Sequence, residues 1–236
     1  MNRQAGSISG LQGVLALGVI AAAVLAGWYF APGGDSLRPN DTAQGKVGSQ
    51  ASAPRAAVDV DPDGEVGGPF SLIDHEGERV TEQDFSGRYM LVVFGFTFCP
   101  DVCPMSLQLV TRTLDRLEQT EPEVARRITP VFVSLDPERD HPDVIKSYIR
   151  NFHPRMVGLT GSLQDIDYMA ASYAVGFKKV TSPDIEGYLI DHTTNIMLMG
   201  PDGGYVTSFS PQTPADLMAK GLQRNVIARD SGGAQG

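Results

Sequence analysis

A mixed α/β sheet with helices on both faces, preceded by one N-terminal transmembrane helix, is the fold class that three features of the sequence predict. Short apolar runs rich in Val, Ile and Phe alternate with stretches whose apolar residues recur at helical spacing, so the chain reads strand, helix, strand, helix, strand, helix. The remainder adds a hairpin, with Pro201-Asp202-Gly203 at its turn, and a last helix. Ahead of all this, residues 11–30 carry no charge, and a run of that length spans the hydrocarbon core of a bilayer. The bulk figures agree: 236 residues, 42% hydrophobic and 20% charged, suffice for one globular domain with extensions. A formal net charge of -9 argues against nucleic acid as a partner, because a surface with excess acid repels phosphates.

Residues 1–31 are expected to form a short cytoplasmic tip and a transmembrane anchor. Between Leu11 and Phe30 only Gln12 is strongly polar, and the run ends on Trp28-Tyr29-Phe30, side chains suited to a membrane interface. Arg3 precedes the run and Asp35 is the first charge after it, which places the N-terminus in the cytoplasm and the rest of the chain across the membrane. Residues 32–66, rich in Gly, Ser, Ala, Pro and Asp, read as a flexible linker. The folded domain is expected over 67–229, and residues 230–236 as a disordered tail.

Within the domain, Phe70 to Asp74 and Arg79 to Thr81, joined through His75-Glu76-Gly77, predict a small hairpin. Leu91 to Phe98 is a buried strand. Pro100 and Pro104 confine the next helix to a start near Val102 or Cys103, with Leu107, Val110, Leu114 and Leu117 on its core face. Thr129 to Leu135 is the following strand. Asp140 is an expected N-cap for a helix with Pro142 in its first turn and Ile145, Tyr148, Ile149 and Phe152 inward. Met156 to Thr160 is a third strand, and Ser162 an expected cap for a helix carrying Leu163, Ile166, Ala170 and Tyr173. Gly187 to Met199 and Gly203 to Phe209 are expected to pair, and Pro214 to about Ile227 forms the last helix. His75 and His141 read as turn and cap residues, and His153 as a loop residue without an evident partner.

The chain has two cysteines, Cys99 on the expected strand-to-helix loop and Cys103 at the helix N-terminus. Unpaired N–H groups and the positive end of the helix dipole favour thiolate there, the form that binds metal or attacks a disulfide. Asp101, between them, opposes ionisation. Their spacing lets both sulfurs face one point, so a shared metal and an internal, redox-active Cys99–Cys103 disulfide are both open. Two cysteines are too few to staple the fold. By periodicity alone His192 is one polar residue in a strand.

Phe-Cys-Pro-Asp-Val-Cys-Pro at 98–104, Ser-Leu-Asp-Pro-Glu-Arg-Asp at 134–140, and Ile-Asp-His-Thr at 190–193 with Gly-Pro-Asp-Gly at 200–203 are together similar to the Sco/SenC/PrrC family. The resemblance runs from about Gly67 to Ala228. It implies a thioredoxin-like domain, held on the periplasmic side of the inner membrane (the intermembrane-space side in a mitochondrion). Such a domain binds copper and helps assemble the binuclear copper centre of cytochrome c oxidase subunit II. It implies Cys99, Cys103 and His192 as metal ligands, Asp191 as an accessory position beside the histidine, and an upstream protein as copper donor. Two thiolates and one imidazole suit Cu(I), with Cu(II) left open, whereas structural zinc wants a fourth ligand that only Asp101 or Asp191 could supply.

Other chemistries remain. A thiol-disulfide oxidoreductase could use the same sulfurs to keep the target cysteines reduced. Against it as the sole role, the cysteine spacing is one residue wider than Cys-x-x-Cys, and no proline lies between Asp184 and Gly200. A peroxidase of the peroxiredoxin kind needs Thr or Ser three residues before the reactive Cys, where this chain has Phe96 and Pro100. A copper or redox sensor would share the binding chemistry.

Overall fold

The computed structural model describes residues 66–181 and 187–233. The expected anchor, and all but the last residue of the expected linker, lie outside them. Among the described residues no helix is long and apolar enough to cross a membrane.

In chain order the elements are β1 (Ser71–Asp74), β2 (Arg79–Thr81), β3 (Tyr89–Gly95), α1 (Val102–Thr120), α2 (Pro122–Arg126), β4 (Ile128–Ser134), α3 (Pro142–Ile149), β5 (Val157–Thr160), α4 (Leu163–Ser172), β6 (Phe177–Val180), β7 (Leu189–His192), β8 (Ile196–Met199), β9 (Tyr205–Phe209) and α5 (Ala215–Gly233). Seven strands form one sheet in the order β2-β1-β5-β4-β3-β8-β9, while β6 and β7 pair separately. The centre, β3–β4–β5, is parallel, and β1, β8 and β9 add antiparallel pairings outside it. The sheet is therefore mixed, as expected.

Strand β3 explains the layering. All seven of its residues are buried, and successive side chains point to opposite faces. Tyr89, Leu91 and Val93 join Leu107, Val110, Leu114 and Leu117 of α1 and Met218, Leu222 and Val226 of α5 in one apolar cluster. Met90, Val92 and Phe94 join Leu72 of β1 and Ile166, Met169 and Ala170 of α4 in the other. At roughly 1.5–3 kcal/mol for each fully buried large apolar side chain, these two layers are the main source of stability. Pro130 is tolerated within β4 because pairing on the β5 side begins only at Val131.

Several expectations need correction. The central strand stops at Gly95, three residues short of Phe98. The Leu135 amide donates to the Gly95 carbonyl, and the Thr97 amide leaves the ladder to donate to the Asp140 carboxylate at 2.8 Å. Asp140 consequently does not cap α3; His141 occupies the N-cap position without a side-chain cap bond. Ser162 does cap α4, in a reciprocal box with Asp165. Gly187 to Met199 is not one strand: β8 joins the sheet next to β3, whereas β7 turns away to pair with β6. The sequence reading missed β6 because Phe177-Lys178-Lys179-Val180 buries almost nothing and has no alternation to betray it. Helix α5 continues to Gly233, so the tail expected from residue 230 is helical at its start.

Candidate metal centre

The cysteine loop owes its shape to three neighbours. Gly95 ends β3 directly beneath Cys103: a Cβ there would come within 2.9 Å of Cys103 Sγ and 3.1 Å of Phe132 Cε2, so only glycine lets the sulfur lie against the strand. Asp140 then fastens the turn that follows. Its buried carboxylate accepts from the Thr97 amide at 2.8 Å, the Thr97 hydroxyl at 2.5 Å and the Ser134 hydroxyl at 2.6 Å. Burial raises the Asp140 pKa, and those hydrogen bonds act in the opposite direction. Finally the Cys99 amide donates to the Phe96 carbonyl, which turns the chain into α1.

Cys99 is half-buried, Cys103 is buried in the first turn of α1, and both are free thiols. The Cys103 amide points at Cys99 Sγ from 3.4 Å. The two sulfurs are unequal. The Cys103 thiol donates toward Cys99, and with help from the Asp101 and Cys103 amides this lowers the Cys99 pKa from 9.0 to about 6 against the opposing effect of burial. Sharing its proton with Cys99, together with burial, raises that of Cys103 well above the usual thiol range. Asp101 thus acts on Cys99 through its backbone N–H; its exposed side chain makes no cap bond.

His192 reaches the same place from the β6–β7 ribbon. Its Nε2 lies 3.6 Å from Cys103 Sγ, and its Nδ1 lies 2.8 Å from the Thr193 carbonyl. A carbonyl only accepts, so Nδ1 carries the proton and Nε2 presents a lone pair to the sulfur. Phe96 packs edge-on against the imidazole at 6.2 Å. Thr193 anchors the turn, its amide donating to the Gly176 carbonyl and its hydroxyl accepting from the Gly176 amide. Asp191 projects elsewhere: it is exposed and pairs with Lys178 at 3.3 Å, on the face of β7 opposite His192. The structure brings Cys99, Cys103 and His192 together as an open set, since the three donors do not all lie within 4.8 Å of one another.

Sequence reasoning assigned no role to several residues that shape this site: Gly95, Thr97, Ser134, Asp136, Arg139, Tyr188 and Thr193. Ser134, Asp136 and Arg139 were signalled by the run 134–140 and Thr193 by the run 190–193, whereas Gly95, Thr97 and Tyr188 lie in neither. Among the described residues, Asp115, Glu118 and His153 also gather potential ligand atoms. Their hydrogen bonding opposes metal. His153 Nδ1 accepts from the Arg155 amide, which leaves the proton on Nε2, and the Arg155 guanidinium already pairs with Glu118 at 3.0 Å. His153, expected to lack a partner, is buried beside these carboxylates.

A thioredoxin-like sheet with a dithiol at the strand-to-helix turn and an imidazole brought in from a separate ribbon defines a thioredoxin-like domain with a dithiol–imidazole site. The chain belongs to the SCO1/SenC family, whose family model matches residues 58–226. The human mitochondrial SCO1 homolog is 42% identical over 146 residues, covering 61% of this chain and 47% of the relative. The chain spans about half the length of that relative and of the Arabidopsis thaliana mitochondrial SCO1 homolog 1, of which 47% is covered. Among solved structures, Arabidopsis thaliana ScoI with copper bound superposes with a TM-score of 0.65 at 36% identity, covering 69% of this chain and 99% of that one. Bradyrhizobium japonicum ScoI with copper bound gives 0.61 at 38%, covering 68% and 99%.

Proposed function

We propose that this chain is a membrane-anchored copper chaperone that holds Cu(I) between Cys99, Cys103 and His192 and assists assembly of the binuclear copper centre of cytochrome c oxidase subunit II. The observation that carries the reading is the 3.6 Å approach of His192 Nε2 to Cys103 Sγ with Nδ1 committed to a carbonyl. That hydrogen bond fixes the tautomer a ligand needs. The relatives solved with copper bound support the choice of ion, and two soft thiolates with one imidazole match Cu(I).

The arrangement suits a carrier. Cys99, half-buried and readily ionised, meets an arriving ion first. Cys103 gives up its proton on binding, which offsets the cost of its burial with a metal–sulfur bond. His192 closes the set from a ribbon that can shift without disturbing the main sheet. Stepwise replacement of these ligands by a partner's thiolates would release the ion, the anchor at 1–31 and linker at 32–66 keeping the domain at the outer membrane surface. An upstream carrier of similar chemistry supplies the ion. A Cu(I) competition titration on the full chain tests the reading: Cys99→Ala and His192→Ala should each weaken binding, and wild-type affinity in either would overturn it.

The lowered Cys99 pKa also favours a second reading, a dithiol reductant for the target's cysteines. Cys99 thiolate would attack a target disulfide, Cys103 would resolve the mixed disulfide, and two electrons and two protons would pass to the target as Cys99–Cys103 forms. Rapid reduction of disulfide substrates, unaffected by His192→Ala, would favour it over copper transfer.

A further inference from the structure

The ribbon that carries His192 is not hydrogen-bonded into the main sheet and is held to the domain by side chains. Strands β6 and β7 pair only with each other, and of their residues Ile190 alone is buried. Among the described residues, Arg139, from the loop after β4, is the centre of the contacts that fasten it on the cysteine side. Arg139 Nη1 donates to the Tyr188 carbonyl at 3.0 Å, its Nε donates to the buried Asp136 carboxylate at 2.5 Å, and Asp136 Oδ1 accepts from the Tyr188 hydroxyl at 2.7 Å. The guanidinium lies 3.8 Å over the Tyr188 ring and 4.9 Å from the Phe98 ring. Tyr188 immediately precedes β7, and Phe98 immediately precedes Cys99. Lys179 of β6 reinforces the joint, pairing with Glu138 at 2.6 Å and lying 4.4 Å over the same Tyr188 ring.

We propose that Arg139 is a positioning residue: held by Asp136, it clasps Tyr188 of the histidine ribbon against Phe98 of the cysteine loop and thereby sets the distance between His192 and the two sulfurs. The geometry calls for arginine. One planar group has to bond a carboxylate and a carbonyl along its edge while stacking a ring on its face, and a lysine ammonium can do only part of this. Asp136 balances the buried charge, so the clasp adds no unpaired ion to the interior. Glu138 and Lys179 make the same connection at the surface, where an ion pair contributes little. Because the three donors form an open set, whatever governs the ribbon's position governs how readily the set closes.

This rests on the copper reading of Cys99, Cys103 and His192. The test compares wild type, Arg139→Lys, Tyr188→Ala and His192→Ala, together with both double variants that combine a clasp substitution with His192→Ala. Arg139→Lys keeps a cation beside Asp136, and Tyr188→Ala leaves that ion pair intact, so the fold has a safeguard in each. Cu(I) affinity by competition should fall roughly 10- to 100-fold in each clasp variant, the range seen when groups that orient a ligand are lost. In the His192→Ala background the clasp substitutions should cost almost nothing further, because the ligand they position is gone. In the copper-free chain, imidazole NMR of His192 should show loss of its defined environment in both clasp variants. Wild-type affinity with an unchanged His192 spectrum in Arg139→Lys and Tyr188→Ala would overturn the clasp, as would losses that add fully to that of His192→Ala. Failure of His192→Ala itself to weaken Cu(I) binding would instead overturn the copper reading.

Discussion

Removing the Cys103 thiol should change the reactivity of its neighbour by an amount that can be worked out. In the reduced chain Cys99 ionises at about 6 instead of the ordinary 9.0, and the largest cause is the proton donated from Cys103. At pH 7 Cys99 is then about nine-tenths thiolate, where an ordinary thiol would be about one-hundredth. The more acidic thiolate is also the poorer nucleophile. With a Brønsted slope of about 0.45, that difference in basicity costs about 20-fold in attack on a disulfide. The net advantage is therefore only about fourfold at pH 7, rising to about 20-fold at pH 6, where the ordinary thiol is almost wholly protonated. Release of the first equivalent from a small aromatic disulfide, followed from pH 5 to 9 with peptide mapping of the modified residue, measures this. Wild type should titrate near 6 with Cys99 modified first, and Cys103→Ala should titrate higher and lose most of its advantage at pH 6. A midpoint that does not move in Cys103→Ala, or first modification at Cys103, would refute the reasoning.

Three further outcomes follow from the same geometry. Gly95→Ala places a Cβ 2.9 Å from Cys103 Sγ and 3.1 Å from Phe132, so urea unfolding should show a loss of about 1–3 kcal/mol, with weaker Cu(I) binding as the sulfur is displaced. Asp140→Ala strands the Thr97 amide and the Thr97 and Ser134 hydroxyls; a loss of about 3 kcal/mol by the same method is expected, and Asp140→Asn, which keeps an acceptor, should lose less. The copper-free dithiol should also give a pH signature in stability. Between about 6 and 9.0 the unfolded chain retains a Cys99 proton that the folded chain has released, so stability rises with pH across that window. Above it the slope reverses, because folded Cys103 holds a proton the unfolded chain loses. Urea midpoints across pH should show this peak in wild type, and a double Cys99→Ser, Cys103→Ser variant should lack it.

The two cysteines were legible because a strand run, two prolines and a helical stripe bracket them closely: Leu91, Pro100, Pro104 and Leu107 fix where the loop must be. His192 was not legible from periodicity, and only the Ile-Asp-His-Thr motif marked it. Asp140 illustrates a different failure. An acid before a helix-initiating proline looks like a cap, but here its carboxylate bridges Ser134 and Thr97, and Thr97, 43 positions away, is too distant for any local pattern to report the competition. Strand β6 escaped notice because a ribbon with both faces largely solvated has no apolar alternation to read.

By itself, the sequence determined the local decisions: which runs are apolar enough to form central strands, where helices can begin around Pro104, Pro142 and Ser162, and which donors are soft enough for copper. Such choices depend on side chains within a turn or two of one another. The tertiary structure alone decided that the ribbon folds back beside α1, that Asp191 faces Lys178 while His192 faces Cys103, and that Cys99 becomes the acidic thiol and Cys103 the protonated one. These depend on burial, on hydrogen bonds and on distances between residues up to 89 positions apart, quantities that exist only once the chain has closed on itself.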